Sequence, residues 1–203
     1  MNGLTNYITE VPWEETITTW YAHVDDAYQR LCAKLSRPLR KRGPEPTMSD
    51  SEVITVALII ESFFQGHEEV GYAFVCQYLG DLFRNLIDLD RFNTRRRDLV
   101  WIIEAIRRDV RSQIIDPSDQ VRIVDSAPVT LMTYTRGSRC KSVVGNEYFG
   151  VVTSKKGKFF GLRLHATVTA DQLIDEWLLA PASATDAKVL DELVRLSRLE
   201  HHW

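Results

Sequence analysis

A single carboxylate at the end of a strand-like run is the first residue whose position suggests chemistry. Residues 121–125 read Val-Arg-Ile-Val-Asp, a short β-branched run that is typical of a strand and ends at Asp125. A buried carboxylate is costly unless it is hydrogen-bonded or binds a cation, and a strand is a rigid mount for a metal ligand. Asp125 is therefore a candidate metal ligand and catalytic residue. The alternative is a strand-end aspartate that accepts a hydrogen bond from a turn amide.

Lysine and arginine concentrate in the middle of the chain, although the whole chain carries a net charge of only −3. Between Arg91 and Arg163 there are 15 Lys and Arg against 7 Asp and Glu, a surplus of 8, so the remainder carries −11. Such an asymmetry suggests a polyanion as the partner of the basic region. The candidate phosphate contacts are Arg95, Arg96, Arg97, Lys155, Lys156, Lys158 and Arg163. For each of them the alternative is an ordinary solvated or strand-surface charge.

Several motifs, taken in order, resemble those of bacterial insertion-sequence transposases of the DDE superfamily. The motifs are Val-Asp-Ser-Ala-Pro-Val at 124–129, the Lys-rich stretch ending in Leu-Arg-Leu-His at 153–165, and Leu-Ala-Pro-Ala-Ser-Ala-Thr-Asp at 179–186. Upstream, Met-Ser-Asp-Ser-Glu-Val-Ile-Thr at 48–55 and Arg-Phe-Asn before the arginine cluster at 91–97 are similar as well. The resemblance covers about residues 48 to 195.

The resemblance implies a catalytic core folded like ribonuclease H. In that family three acids bind two divalent metals, Mg²⁺ or Mn²⁺, which activate water or a DNA 3′-hydroxyl. Asp125 matches the first acid, and the chain ends at Trp203 before the expected positions of the other two. We therefore expect a transposase that is incomplete and inactive as written, or a non-catalytic DNA-binding remnant. A structural helical protein without a DNA role is the third, weaker alternative.

Two further residues match the family pattern without a settled role. His165 shares a strand face with Arg163, where it could contact DNA phosphate, support Asp125 or simply be a satisfied strand residue. Asp186 follows a loop of small residues, and with Ser183 it fits a helix N-cap followed by an N3 carboxylate. We therefore expect Asp186 to cap a helix and not to bind metal.

The hydrophobic pattern predicts a helical region over 1–115, and then strands and a helix over 119–203, hence an α+β or α/β chain. The resemblance implies that the first is a DNA-binding region and the second a partial ribonuclease H-like domain. Apolar residues spaced by three and four predict helices over 13–35, 50–64, 70–83 and 94–113, with a basic linker over 37–46. A capping box at 49–52 starts the second helix. Alternation predicts a strand over 158–169 with a partner over 173–179, then a last helix.

Composition and cysteine spacing indicate an ordinary globular protein. The hydrophobic content of 44% is ordinary for a globular protein, and no apolar run reaches the roughly 20 residues of a membrane span. Cys32, Cys76 and Cys140 are widely separated, so neither a disulfide framework nor a zinc site is indicated. The resemblance implies a bacterial cytoplasmic, nucleoid-associated protein whose partner is duplex DNA at transposon ends, with a homodimer as one candidate assembly.

Overall fold

The computed structural model describes residues 12–35, 46–116, 121–152 and 157–198. The chain divides into two compact units, Met1–Ser112 and Gln113–Trp203. The division falls within a few residues of the boundary that the sequence pattern suggests. The first unit is helical in its described residues, and the second contains an antiparallel sheet and a helix, so the chain is a mixed helix-and-sheet protein.

The described residues of the first unit form five helices. They are α1 (Trp13–Leu35), α2 (Asp50–Phe64), α3 (Glu68–Tyr78), α4 (Leu89–Asp98) and α5 (Val100–Ile114). The first two have the predicted bounds. Helix α2 begins with the predicted capping box, in which the Ser49 hydroxyl accepts from the Glu52 N–H and the Glu52 side chain accepts from the Ser49 N–H. The linker predicted over 37–46 lies almost wholly outside the described residues.

The core of this unit forms around α2. Nine of its fifteen residues are buried, including Val53, Val56, Ile59 and Ile60, because the helix is apolar on almost every side. Helix α1 contributes Ile17, with other residues of its apolar stripe beside it. The prediction of a buried central helix is confirmed.

Helices α4 and α5 correct the prediction of one helix over 94–113. The chain forms two helices that meet at Leu99, whose backbone lies near φ −88° and ψ 0°. Helix α4 begins earlier than predicted because Asp88 is its N-cap and accepts a hydrogen bond from the Arg91 N–H. Helix α3 also differs from the prediction, since it ends at Tyr78 instead of residue 83.

The second unit contains a four-stranded antiparallel sheet. Its strands are β1 (Ile123–Met132), β2 (Phe149–Val152), β3 (Gly157–Val168) and β4 (Ile174–Pro181). Strand β3 is central: β1 pairs along one side of it, while β2 and β4 pair with different parts of the other side. Among the described residues β1 has no partner on its outer side, so it is an edge strand.

The pairing register determines which side chains share a face. Asp125 lies opposite Ala166, which lies opposite Trp177, whereas Ser126 lies opposite His165. Directly opposed residues project from the same face, and neighbours along a strand project from opposite faces. Asp125 and His165 therefore point to opposite sides of the sheet.

Helix α6 (Asp186–Arg198) packs on one of these faces. Its Val189 and Leu193 form a small core with Ala180, and Val124 of β1 packs against this core. Val124 has the same strand parity as Ser126, so α6 covers the face of Ser126 and His165. Asp125 projects from the other face and is exposed.

An irregularity in β1 shapes the far end of the sheet. The register shifts between Thr130 and Met132, and Gly161 lies opposite Thr130 with φ +157°. A Cβ at Gly161 would lie 2.1 Å from the carbonyl oxygen of Val129, so only glycine fits this close backbone approach. Beyond the irregularity an aromatic cluster packs on the sheet, with the Phe149 and Phe160 ring centroids 4.8 Å apart.

Candidate functional site

Asp125 stands in an exposed position on the edge strand β1. Its carboxylate accepts a hydrogen bond from the Ser126 N–H at 2.7 Å. The residues in its cross-strand row, Ala166 and Trp177, offer no second carboxylate. Within the described ranges no group of three His, Cys, Asp or Glu side chains could hold a metal ion. The described residues therefore bring no second acid beside Asp125, and the two-metal site that the resemblance implies stays a prediction.

Asp186 belongs to the opposite face. Its Oδ1 lies 2.7 Å from Nδ1 of His165, whose side chain is completely buried. Helix α6 begins at Asp186 itself, so the prediction of Ser183 at the N-cap and Asp186 at N3 is wrong, although Asp186 lies in the first turn of the helix as predicted. The chain turns between Pro181 and Ala184, and the helix starts only after that turn. The carboxylate binds a histidine across the packing interface instead.

His165 does not support Asp125 directly, because the two side chains project from opposite faces of the sheet. Its Nε2 is buried and has no hydrogen-bond partner among the described residues. The predicted sharing of a face by Arg163 and His165 agrees with the register. That polar face is the covered one, with His165 fully buried and Thr167 nearly so.

Arg95 and Arg96 are engaged inside the first unit. The Arg95 guanidinium donates to the carbonyl of Met48 and to the carboxylate of Asp50, at the start of α2. Arg96 pairs with Glu61 and, at 3.2 Å, with Glu68. Both arginine side chains are only about a fifth exposed, at 21% and 22%. Contact with DNA phosphate would require them to exchange these partners.

Arg97 differs from its two neighbours. Its side chain is exposed, and it donates only to the Asn93 carbonyl at 3.2 Å and the Thr94 hydroxyl at 3.4 Å, both within α4. Among the described residues no carboxylate pairs with it. Of the three clustered arginines, Arg95, Arg96 and Arg97, Arg97 is the one without a carboxylate partner in the part of the chain that the structure describes.

The predicted basic residues of the second unit differ in their surroundings. Lys158 is exposed at the start of β3, with Nζ 5.7 Å from the centroid of the Tyr134 ring. Arg163 donates to the carbonyls of Ala182 and Val151, at 3.2 and 2.8 Å, so it ties β2 to the loop before α6. Lys155 and Lys156 lie outside the described residues.

Sequence reasoning missed a buried acidic pair at the start of β4. Asp175 and Glu176 are 1% and 0% exposed, and Arg122, the residue before β1, binds the Asp175 carboxylate. A hydrogen bond beside them joins β4 to β3, because the Glu176 N–H donates to the Thr167 hydroxyl at 3.0 Å. The one sequence feature that could have predicted this pair is that two adjacent acids stand at the start of an apolar strand.

Comparison with known proteins identified no relative: no family model, no curated protein and no solved structure matches the chain. No described helix has the length and apolar character needed to cross a membrane.

Proposed function

We propose that this chain is a DDE-type insertion-sequence transposase whose described residues supply DNA contacts and the first metal-binding carboxylate, Asp125. The observation that carries the proposal is the placement of Asp125. It is an exposed acid on a strand of an antiparallel sheet, within the Val-Asp-Ser motif, and its carboxylate is not neutralised by any described cation. An acid in that setting is available to a metal ion, whereas a purely structural aspartate is usually paired.

The predicted strand-end alternative is wrong in its position, because β1 continues beyond Asp125 to Met132, although Asp125 does accept a hydrogen bond from an amide. That amide belongs to the next residue of the same strand and leaves the second carboxylate oxygen available. The hydrogen bond thus holds Asp125 in position, while one oxygen of its carboxylate still has no partner among the described residues.

The activity proposed for the described residues is DNA binding in the bacterial cytoplasm. Arg97 and Lys158 are exposed and without carboxylate partners among the described residues, and the segment from Arg91 to Arg163 carries the surplus of 8 positive charges. Contacts of this kind bind phosphate without reading base sequence. The partner proposed is duplex DNA, and no cleavage step is assigned to the described residues.

A salt titration tests this proposal. The full chain is mixed with a fluorescein-labelled duplex, and the anisotropy is followed from low to moderate salt. We expect binding that weakens steeply with salt, because each phosphate contact releases condensed counterions. Absence of binding at low salt contradicts the DNA-binding proposal, and binding that does not depend on salt contradicts the phosphate contacts.

A further inference from the structure

A short 3₁₀-helix in the second unit presents two exposed arginines on one face. It spans Tyr134–Arg139 and follows β1 in the chain. Its first turn is closed by a bond from the Arg136 N–H to the Thr133 carbonyl at 2.8 Å. Because such a helix has three residues per turn, side chains three apart lie directly above one another. Arg136 and Arg139 are both exposed, so they project from the same face, about 6 Å apart along the helix axis.

A neighbouring face of the same helix packs on the sheet. Tyr134, Gly137 and Cys140 are again three apart, and they are partly or fully buried. Gly137 lies against Phe160 of β3, since an added Cβ would be 2.4 Å from the ring carbon Cδ2. The Tyr134 ring meets the Phe149 ring edge to face, with the centroids 5.3 Å apart. The face that carries the two arginines lies about 120° round the helix from this packed face, and it is left to solvent.

The charges around this helix are mostly positive. Residues 133–152 contain three Lys and Arg and a single acid, Glu147. The Glu147 carboxylate lies against Gly145 of its own turn, since an added Cβ there would be 2.2 Å from Oε2. Lys158 adds a further cation at the ring of Tyr134, with Nζ 5.7 Å from the centroid. In the part of the chain that the structure describes, no carboxylate pairs with either arginine of the helix.

We infer that this surface, the Arg136–Arg139 face, binds the backbone of duplex DNA, with one phosphate on each guanidinium. A guanidinium is always charged, and its N–H donors match the oxygens of a phosphate. The packed helix backbone already holds the two side chains on one face, which limits the ordering that binding requires. The inference rests on the proposed DNA-binding function, and it assigns the phosphate contact of the second unit to two residues that are not among the candidates predicted from the sequence.

The test follows the binding of the full chain to a fluorescein-labelled duplex by anisotropy over a series of salt concentrations. Arg136→Gln combined with Arg139→Gln should lower the slope of log K against log salt concentration by roughly 1.8, because each phosphate contact on duplex DNA contributes about 0.9. Arg136→Lys combined with Arg139→Lys should keep most of the slope, because both charges remain. The matched control is Lys188→Gln combined with Arg195→Gln, which removes two charges from exposed positions on α6 and should bind like the wild type.

The outcomes separate this inference from the proposed function. If the wild type does not bind the duplex, both are wrong. If it binds and the double glutamine variant at 136 and 139 keeps the wild-type slope, this inference alone is overturned. The same holds if the control on α6 lowers the slope equally, because the loss then reflects net charge alone. It also holds if the double lysine variant is as weak as the double glutamine variant. Circular dichroism of each variant establishes that the chain remains folded.

Discussion

His165 Nδ1 lies 2.7 Å from Asp186 Oδ1, so a hydrogen bond joins the central strand β3 to the first residue of α6. An ionised carboxylate can only accept, so Nδ1 of His165 is the donor in this hydrogen bond. The histidine is fully buried, and the aspartate is 50% exposed. The pair orients α6 on the sheet, and it lies on the face opposite Asp125.

Asp186→Ala should destabilise the second unit by about 1–2 kcal/mol, because it leaves the buried Nδ1–H of His165 without an acceptor. Asp186→Asn should cost less, because the amide oxygen still accepts that hydrogen bond. Urea unfolding followed by far-ultraviolet circular dichroism measures both changes. Equal losses for the two variants would show that the charge of Asp186, not its hydrogen bond, matters.

Arg95 and Arg97 should respond differently to the same substitution. Arg95→Ala removes hydrogen bonds to Met48 and Asp50 and should destabilise the first unit by about 1–3 kcal/mol. Arg97→Ala should change stability by less than about 0.5 kcal/mol, since its side chain is exposed. It should, however, reduce the salt dependence of DNA binding by about one phosphate contact. Unfolding and anisotropy titrations on both variants check this, and the opposite pattern would place the DNA contact at Arg95.

The bounds of α1 and α2 were predictable because their causes are local. The apolar spacing over Trp13–Leu35 and the capping box at Ser49 and Glu52 lie within the segments that they define. The partners of Arg95 and Arg96 were not predictable in this way. Asp50 lies 45 residues before Arg95, and Glu61 lies 35 residues before Arg96, so no local pattern shows that these charges are paired.

The same distinction applies to the second unit. Alternation predicted which residues of β3 share a face, because a strand reverses its side chains at every residue. Which face is covered depends on where α6 packs, and that is decided by contacts between distant segments. His165 thus becomes a buried residue bound to Asp186, 21 positions later.

The stability of the first unit should fall on acidification because of Asp109. Burial acts to raise the pKa of Asp109, but hydrogen bonds from Lys34 and Arg30, both at 2.8 Å, outweigh it and lower the pKa. A pKa below the unfolded value of about 4 means that this stabilisation is complete above pH 4 and is lost as pH falls through the folded value. Asp109→Asn should therefore be less stable at pH 7 and lose less stability between pH 5 and 3. A parallel loss in variant and wild type would contradict this assignment.

The chain should neither nick nor join DNA in magnesium or manganese. Asp125 is exposed on one face of the sheet, Asp186 is bound to His165 on the other, and the two carboxylates cannot hold one ion between them. Two-metal chemistry needs several ligands around ions about 4 Å apart. Conversion of supercoiled plasmid to the nicked form, followed on agarose gels with each metal, measures the activity. Nicking that requires metal and disappears in Asp125→Ala but persists in Asp186→Asn would show that Asp125 acts with ligands other than Asp186. Nicking abolished by both variants would instead show that Asp186 leaves His165 and joins the metal site.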